Sequence, residues 1–224
     1  MSSQEQLPIV DCSFGLFPPS SQAALPADSA YFLYAAISRI LPWLHNRPDV
    51  GIHPLRGRLI GKRSMLLPKR STLTFRAPAG LVGPLLALAG KTLTVAGVPL
   101  QVGTPNIYPL APAALLSSRL VIIRGFQEPD AFLAAVQRQL EKMGVGGQAR
   151  LVTRQSPTAV ETDGKGGQGE WIRRTLRVKD MEIVGFAVEV GGLSAADSLR
   201  LQEVGLGGRR KFGCGVLVPK RTSR

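Results

Sequence analysis

Between Asp49 and Glu128 the chain carries no acidic residue, although Arg56, Arg58, Lys62, Arg63, Lys69, Arg70, Arg76, Lys91, Arg119 and Arg124 all fall in that interval. A solvated surface interleaves both signs, because unrelieved like charge repels itself. A stretch of one sign is tolerated where an external anion neutralises it, and phosphate fits that role. The whole chain follows the same bias, with a net charge of +13 over 224 residues. Such a charge sets up a long-range field that attracts polyanions, of which nucleic acid is the commonest.

Other shortages exclude other classes. Cys12 and Cys214 are the only cysteines, far apart and without metal-ligand spacing. They exclude a disulfide framework, point to a reducing cytoplasm, and read as small buried side chains. Met1–Leu7 is polar and no signal peptide. The longest apolar runs, Leu81–Ala89 and Tyr31–Leu44, are too short or too interrupted to cross a bilayer, so no membrane partner is expected. Aromatics make up 6% of the residues, with no run of Phe and Tyr on a strand, which argues against a generic RRM-type RNA binder. No cofactor motif is present: Gly90-Lys91-Thr92 lacks the Walker glycine, its place being taken by Leu85. No Asp, Glu, His and Cys cluster has ligand spacing, which disfavours a metal site.

What is present reads as an α+β chain that repeats one order of elements. Leu7–Phe17 is strand-like, and Asp28 is placed to cap a helix whose stripe is Leu33, Ile37, Ile40 and Leu44. His45–Pro54 reads as loop, Arg58–Leu66 and Ser71–Arg76 as strands, and Leu81–Ala89 as a helix closed by Gly90. Thr92–Val95 and Val98–Val102 complete a β-α-β-β-α-β unit, the ferredoxin-like order. A Pro-Ala-rich linker, 109–114, separates this unit (1–108) from a second (115–224). There Leu116–Ile123 is a strand, Pro129–Met143 a helix and Ala149–Thr153 a strand. Gln155–Glu170 is a glycine-rich loop, and Ile172–Val178 with Ile183–Val190 form a hairpin. Ser194 caps a last helix to Val204, and Val216–Val218 ends as a strand. Two tandem ferredoxin-like (RRM-like) domains are the expected fold.

The most specific motif is Gly205–Gly215, GLGGRRKFGCG, with five glycines and three consecutive cations. Glycine lets a backbone approach a ligand and expose its N–H groups. Gly205, Gly207, Gly208, Gly213 and Gly215, with Arg209, Arg210 and Lys211, are therefore expected to grip phosphates. Arg56, Arg58, Lys62 and Arg63 are expected to join them from the acid-free stretch.

The stretch Leu193–Pro219, ending GLGGRRKFGCGVLVP, resembles the glycine-rich signature of the repeat-associated RNA-binding (RAMP) superfamily of CRISPR systems. With LPADSAYFLYAA (Leu25–Ala36), PWLHNRPDVGIHPLRG (Pro42–Gly57) and LALAGKTLTVAG (Leu86–Gly97), the chain is more narrowly similar to its precursor-RNA-processing endoribonucleases. The resemblance covers nearly the whole chain. It implies metal-independent cleavage of CRISPR repeat RNA on the 3′ side of a stem-loop or short structured repeat, retention of the mature guide RNA, and assembly with other CRISPR effector subunits.

Metal-free cleavage uses the RNA's own 2′-OH, a base beside it, an acid near the leaving 5′-oxygen and a cation for the phosphorane. Histidine suits the proton transfers near neutral pH. The chain has two, His45 and His53, both after the first predicted helix. Family members often carry a histidine at the place of Ser29, which cannot serve as a base near pH 7. Either the catalytic histidine is His53 or His45, or the chain is a non-cleaving repeat-RNA-binding subunit with an altered site. Tyr31 and Tyr34 either orient a nucleotide or belong to the core.

Overall fold

The computed structural model describes residues 7–61, 63–153 and 171–220, so Lys62 and the Gln155–Glu170 loop lie outside the described residues. Strand β1 (Ile9–Phe17) buries Val10, Cys12, Phe14 and Leu16 and turns Asp11 and Ser13 to the opposite face, as a period of two requires. The chain continues through β2 (Ala24–Pro26), α1 (Ala30–Ile40), a tight turn at Pro42–Asn46, β3 (Gly51–Ile52), β4 (Arg58–Ile60), β5 (Ser64–Leu66) and β6 (Ser71–Pro78). It closes the unit with α2 (Val82–Leu85), β7 (Thr92–Val95) and β8 (Val98–Pro109). The sheet order is β3-β6-β1-β8-β7, antiparallel throughout, which is the ferredoxin-like order with the β7 arm added at one edge.

Four sequence expectations change here. Arg58–Leu66 is not the second strand of this sheet. It folds as the β4–β5 hairpin and pairs with β2 in a separate three-stranded sheet. The vacant sheet position is filled by β3, inside the segment expected to be loop, and the backbone N–H of His53 extends its ladder to the Thr74 carbonyl at 2.9 Å. Asp28 does not cap α1. Ser29 holds the cap position without a side-chain bond, and the Asp28 carboxylate instead accepts the backbone N–H of Arg177. The second helix is reduced to one α-turn between two 3₁₀ turns, because Gly83 and Pro84 interrupt the backbone ladder.

The second unit repeats the plan with β9 (Leu115–Val121), α3 (Pro129–Met143), β10 (Gln148–Leu151), β11 (Arg173–Val178), β12 (Met181–Gly191), α4 (Ala195–Val204) and β13 (Val218–Pro219). Its order, β10-β12-β9-β13, is the same as in the first unit, with β11 paired to the first half of β12. Gly144 ends α3 at φ +66°, and the Ser194 hydroxyl accepts the Asp197 N–H at the start of α4. Each unit has its own core: Phe14 meets Phe75 edge-on at 6.0 Å in the first, and Phe132 meets Phe186 at 4.8 Å in the second. The chain is thus two ferredoxin-like folds in tandem. Cys12 and Cys214 are buried free thiols, and burial pushes Cys214 up to about 12. Among the described residues no helix is long and apolar enough to cross a membrane.

Candidate active site

Register places Asp11 of β1 opposite Arg76 of β6, and Arg76 opposite Gly51 of β3. The three form a row across the face of the first sheet. Arg76 is 1% exposed. Its Nε and one terminal nitrogen donate to the two Asp11 oxygens at 2.8 and 2.9 Å, and the other terminal nitrogen donates to the carbonyls of Gln202 and Leu217 in the second unit. The ion pair lies within the first unit, where stranding one buried partner would cost about 3–5 kcal/mol, and the two carbonyl bonds tie the same side chain to the second unit. Arg76, counted among the cations that await an external anion, is already neutralised inside the protein.

His53 lies two residues beyond Gly51 on the same face. Its Nε2 is buried, sits 3.4 Å from the nearer Asp11 oxygen and has no hydrogen-bond partner among the described residues. Burial alone would raise the Asp11 carboxyl, but hydrogen bonds from Arg76 and the charge of its neighbours outweigh burial and hold it well below the usual carboxylate range. The His53 ring is lowered by burial, with Arg76 and Arg56 adding to the effect and Asp11 opposing it. It is therefore neutral near pH 7 and able to accept a proton.

His53, Ser29, Arg119 and Lys211 converge on one cleft of about 690 Å³ between the units. Ser29 is 5% exposed at the head of α1. Burial lowers both Arg119 and Lys211. His45 does not line this cleft. It sits in the exposed turn after α1, where its Nδ1 is 2.9 Å from the Tyr34 hydroxyl and its carbonyl accepts Lys211 Nζ at 2.6 Å. Tyr34 is buried and edge-on to Phe212 at 5.0 Å, while Tyr31 stacks on Phe212 at 6.4 Å. Both tyrosines thus seat the glycine loop.

That loop is built differently from the sequence expectation. The N–H groups of Gly205, Leu206, Gly208, Phe212, Gly213, Cys214 and Gly215 bond backbone carbonyls, and that of Gly207 donates to Gln139 Oε1. The amides expected to face phosphates are consumed by the protein itself. Glycine is needed because neighbouring backbone comes too close: an added Cβ at Gly215 would lie 1.8 Å from the Leu206 oxygen, and at Gly207 2.3 Å from the Ile122 oxygen. Both positions also have positive φ. Gly208 alone in the loop has open space around it.

The loop's cations separate as well. Arg209 is exposed, with φ +65°. Arg210 is wedged beside Gly51 and Gly205, and burial lowers it to about 10. Its Nε and one terminal nitrogen are buried without hydrogen-bond partners among the described residues. Arg56 and Arg58 are exposed. Arg63 reaches across to Thr175 at 3.1 Å and Glu182 at 3.4 Å. Asp11 was not singled out from sequence, and Arg76 and Arg119 were named only as members of the acid-free basic stretch. The one available signal was Asp11, a lone acid at an outward position of an alternating strand.

Comparison with known proteins places this geometry. The family model described as "Cas6 Crispr" matches residues 11–222. A "CRISPR-associated endonuclease Cas6" of Myxococcus xanthus (strain DK1622) is 41% identical over 204 residues, spanning 91% of this chain and 80% of that protein. Among solved structures, a "CRISPR associated protein Cas6" superposes with a TM-score of 0.64 at 11% identity, covering 95% of this chain and 100% of that one. "An RAMP protein binding different RNA substrates" gives 0.65 at 14% identity, over 95% and 100% of the two chains. At such identities these structures carry the fold alone.

Proposed function

Because the chain belongs to the Cas6 family of CRISPR proteins, we propose that it is a metal-independent endoribonuclease that cuts CRISPR precursor RNA within its repeats and keeps the guide RNA it makes. The observation that carries this is the convergence of a neutral, buried-edge histidine and several cations on one cleft between the two units. The RNA's 2′-OH attacks the adjacent phosphorus, forming the O2′–P bond as the P–O5′ bond breaks. His53 accepts the 2′-OH proton. Asp11 faces Nε2, which favours the proton on that nitrogen and leaves Nδ1 as the base. Lys211 and Arg119 stabilise the charge on the phosphorane, and the 5′-oxygen takes its proton from solvent. The products are a 2′,3′-cyclic phosphate and a 5′-OH.

Support for a metal-free route is that a histidine able to take the 2′-OH proton and cations able to hold the phosphorane charge line the same cleft. Retention of the product fits the net charge of +13, and a product held this way is suited to a multi-subunit CRISPR effector in the cytoplasm. A second reading is a non-cleaving repeat-RNA-binding subunit. It is favoured by Ser29, a buried residue that cannot act as a base, at the place where the family resemblance implies a histidine. Incubation of the pure protein with labelled repeat RNA in excess chelator separates the two. Cleavage with cyclic-phosphate ends supports the enzyme, and activity that returns only with magnesium removes the metal-free route. Tight binding without cleavage, converted to cleavage by Ser29→His, establishes the second reading.

A further inference from the structure

We propose that the cleft between the units takes one unpaired nucleobase of the RNA, from a nucleotide beside the cleaved phosphate, out of its stack. The inference rests on reading this cleft as the cleavage site. Its walls are apolar: Leu33 and Leu55 come from the first unit, Leu120, Leu176 and Val184 from the second, and Phe212 from the glycine loop. A phosphate gains nothing from such walls and loses its hydration there. A base presents a flat face that stacks on apolar and aromatic side chains, worth about 1–3 kcal/mol per base.

Charge lines the same cleft. Arg63 and Arg173 are exposed, and Lys211 and Arg119 stand beside Ser29 and His53, so cations are available to the phosphates on either side of a seated base. An RNA strand combines these two chemistries, flat apolar face and anionic backbone, in one repeating unit. A lipid tail or an apolar peptide offers no anion to these cations, of which Arg63 alone is shared with Glu182 at 3.4 Å, and Asp28 is the one acid in the lining. The hydroxyls of Ser29 and Thr175 also line the cleft and are groups that can read a base edge. The volume of about 690 Å³ is in the range of sites that enclose a small molecule. Phe212 is braced by Tyr31 and Tyr34, so the stacking wall is in place before RNA arrives. Extraction costs least for a base that is already unpaired, which selects single-stranded nucleotides next to structured ones.

The test is a ribo-abasic scan through the unpaired positions of the repeat RNA in excess chelator, read both as single-turnover rate and as dissociation constant. One abasic position beside the scissile phosphate should slow cleavage or weaken binding by about tenfold or more, and other unpaired positions by less than threefold. Val184→Trp, which fills the cleft, should penalise the intact RNA by a similar factor and that abasic RNA by less than threefold. A scan in which no unpaired position exceeds threefold overturns the proposal, as does a Val184→Trp penalty that is equal on both RNAs. If no RNA is cut, the cleavage reading falls while the binding arm still decides whether the cleft holds a base.

Discussion

His45 and His53 stand in one segment of the sequence, and the two-residue strand between them sends them to different surroundings. His45 leans on Tyr34 in an exposed turn and lends its carbonyl to Lys211, so its neighbourhood is scaffold for the glycine loop. His53 continues the strand, turns its ring toward Asp11 and opens onto the cleft. A histidine whose ring is hydrogen-bonded to a tyrosine is occupied. One whose buried edge faces a carboxylate and whose ring is lowered by burial is set up to receive a proton. Nearness along the chain says little about a histidine's surroundings; the sheet register decides them.

The sharpest way to break this comparison is to remove each ring in turn. His53→Ala should cost about 10²–10⁴ in single-turnover cleavage at saturating protein, and His45→Ala should stay within about threefold. Equal losses would return both histidines to the site, and two small losses would remove them from it.

A second contrast lies within the loop that His45 helps to seat. Gly207→Val meets the Ile122 carbonyl and must adopt positive φ, so it should destabilise the fold by at least about 2 kcal/mol in denaturant melts. Gly208→Ala, in open space, should leave stability nearly unchanged. Were Gly207→Val fully stable yet weak in RNA binding, the glycines would belong to the RNA after all.

The smallest effect concerns the adjacent arginines. Exposed Arg209, replaced by Gln, should flatten the slope of log K against log salt by about 0.7, one phosphate contact to a single strand. Arg210, wedged between the units, should alter stability more than slope when replaced by Gln. The reverse pattern would make Arg210 the RNA contact.

Where periodicity was long and caps were strong, the sequence was readable. Helix α3 runs over the expected Pro129–Met143 and ends at Gly144, because its apolar stripe, opening proline and closing glycine all agree. The β7–β8 hairpin was also legible, but β8 continues to Pro109 through Pro105. Beyond the β7 pairing it is an edge, where a residue without an N–H is tolerated. Strand β3 was not legible: two residues show no alternation, and only its partners in β6 define it. The candidate site divides the same way. The pool of two histidines came from composition, whereas the case for His53 rests on Asp11 and Arg76, which lie 65 residues apart in sequence and which the register sets side by side.

The most direct measurement is the pH dependence of single-turnover cleavage in chelator for the wild type and Asp11→Asn. His53 must be neutral to accept a proton, and burial lowers its ring from the ordinary 6.5. The wild-type rate should therefore hold through neutral pH and fall only below about that value. The groups facing the ring are Asp11, which supports its charged form, and Arg76 and Arg56, which oppose it. Removing the Asp11 charge should move the acid limb to still lower pH and, by loosening the ring's orientation, reduce the plateau. An acid limb at the same pH in both proteins, or one that persists in His53→Ala, would contradict the assignment of His53 as the base.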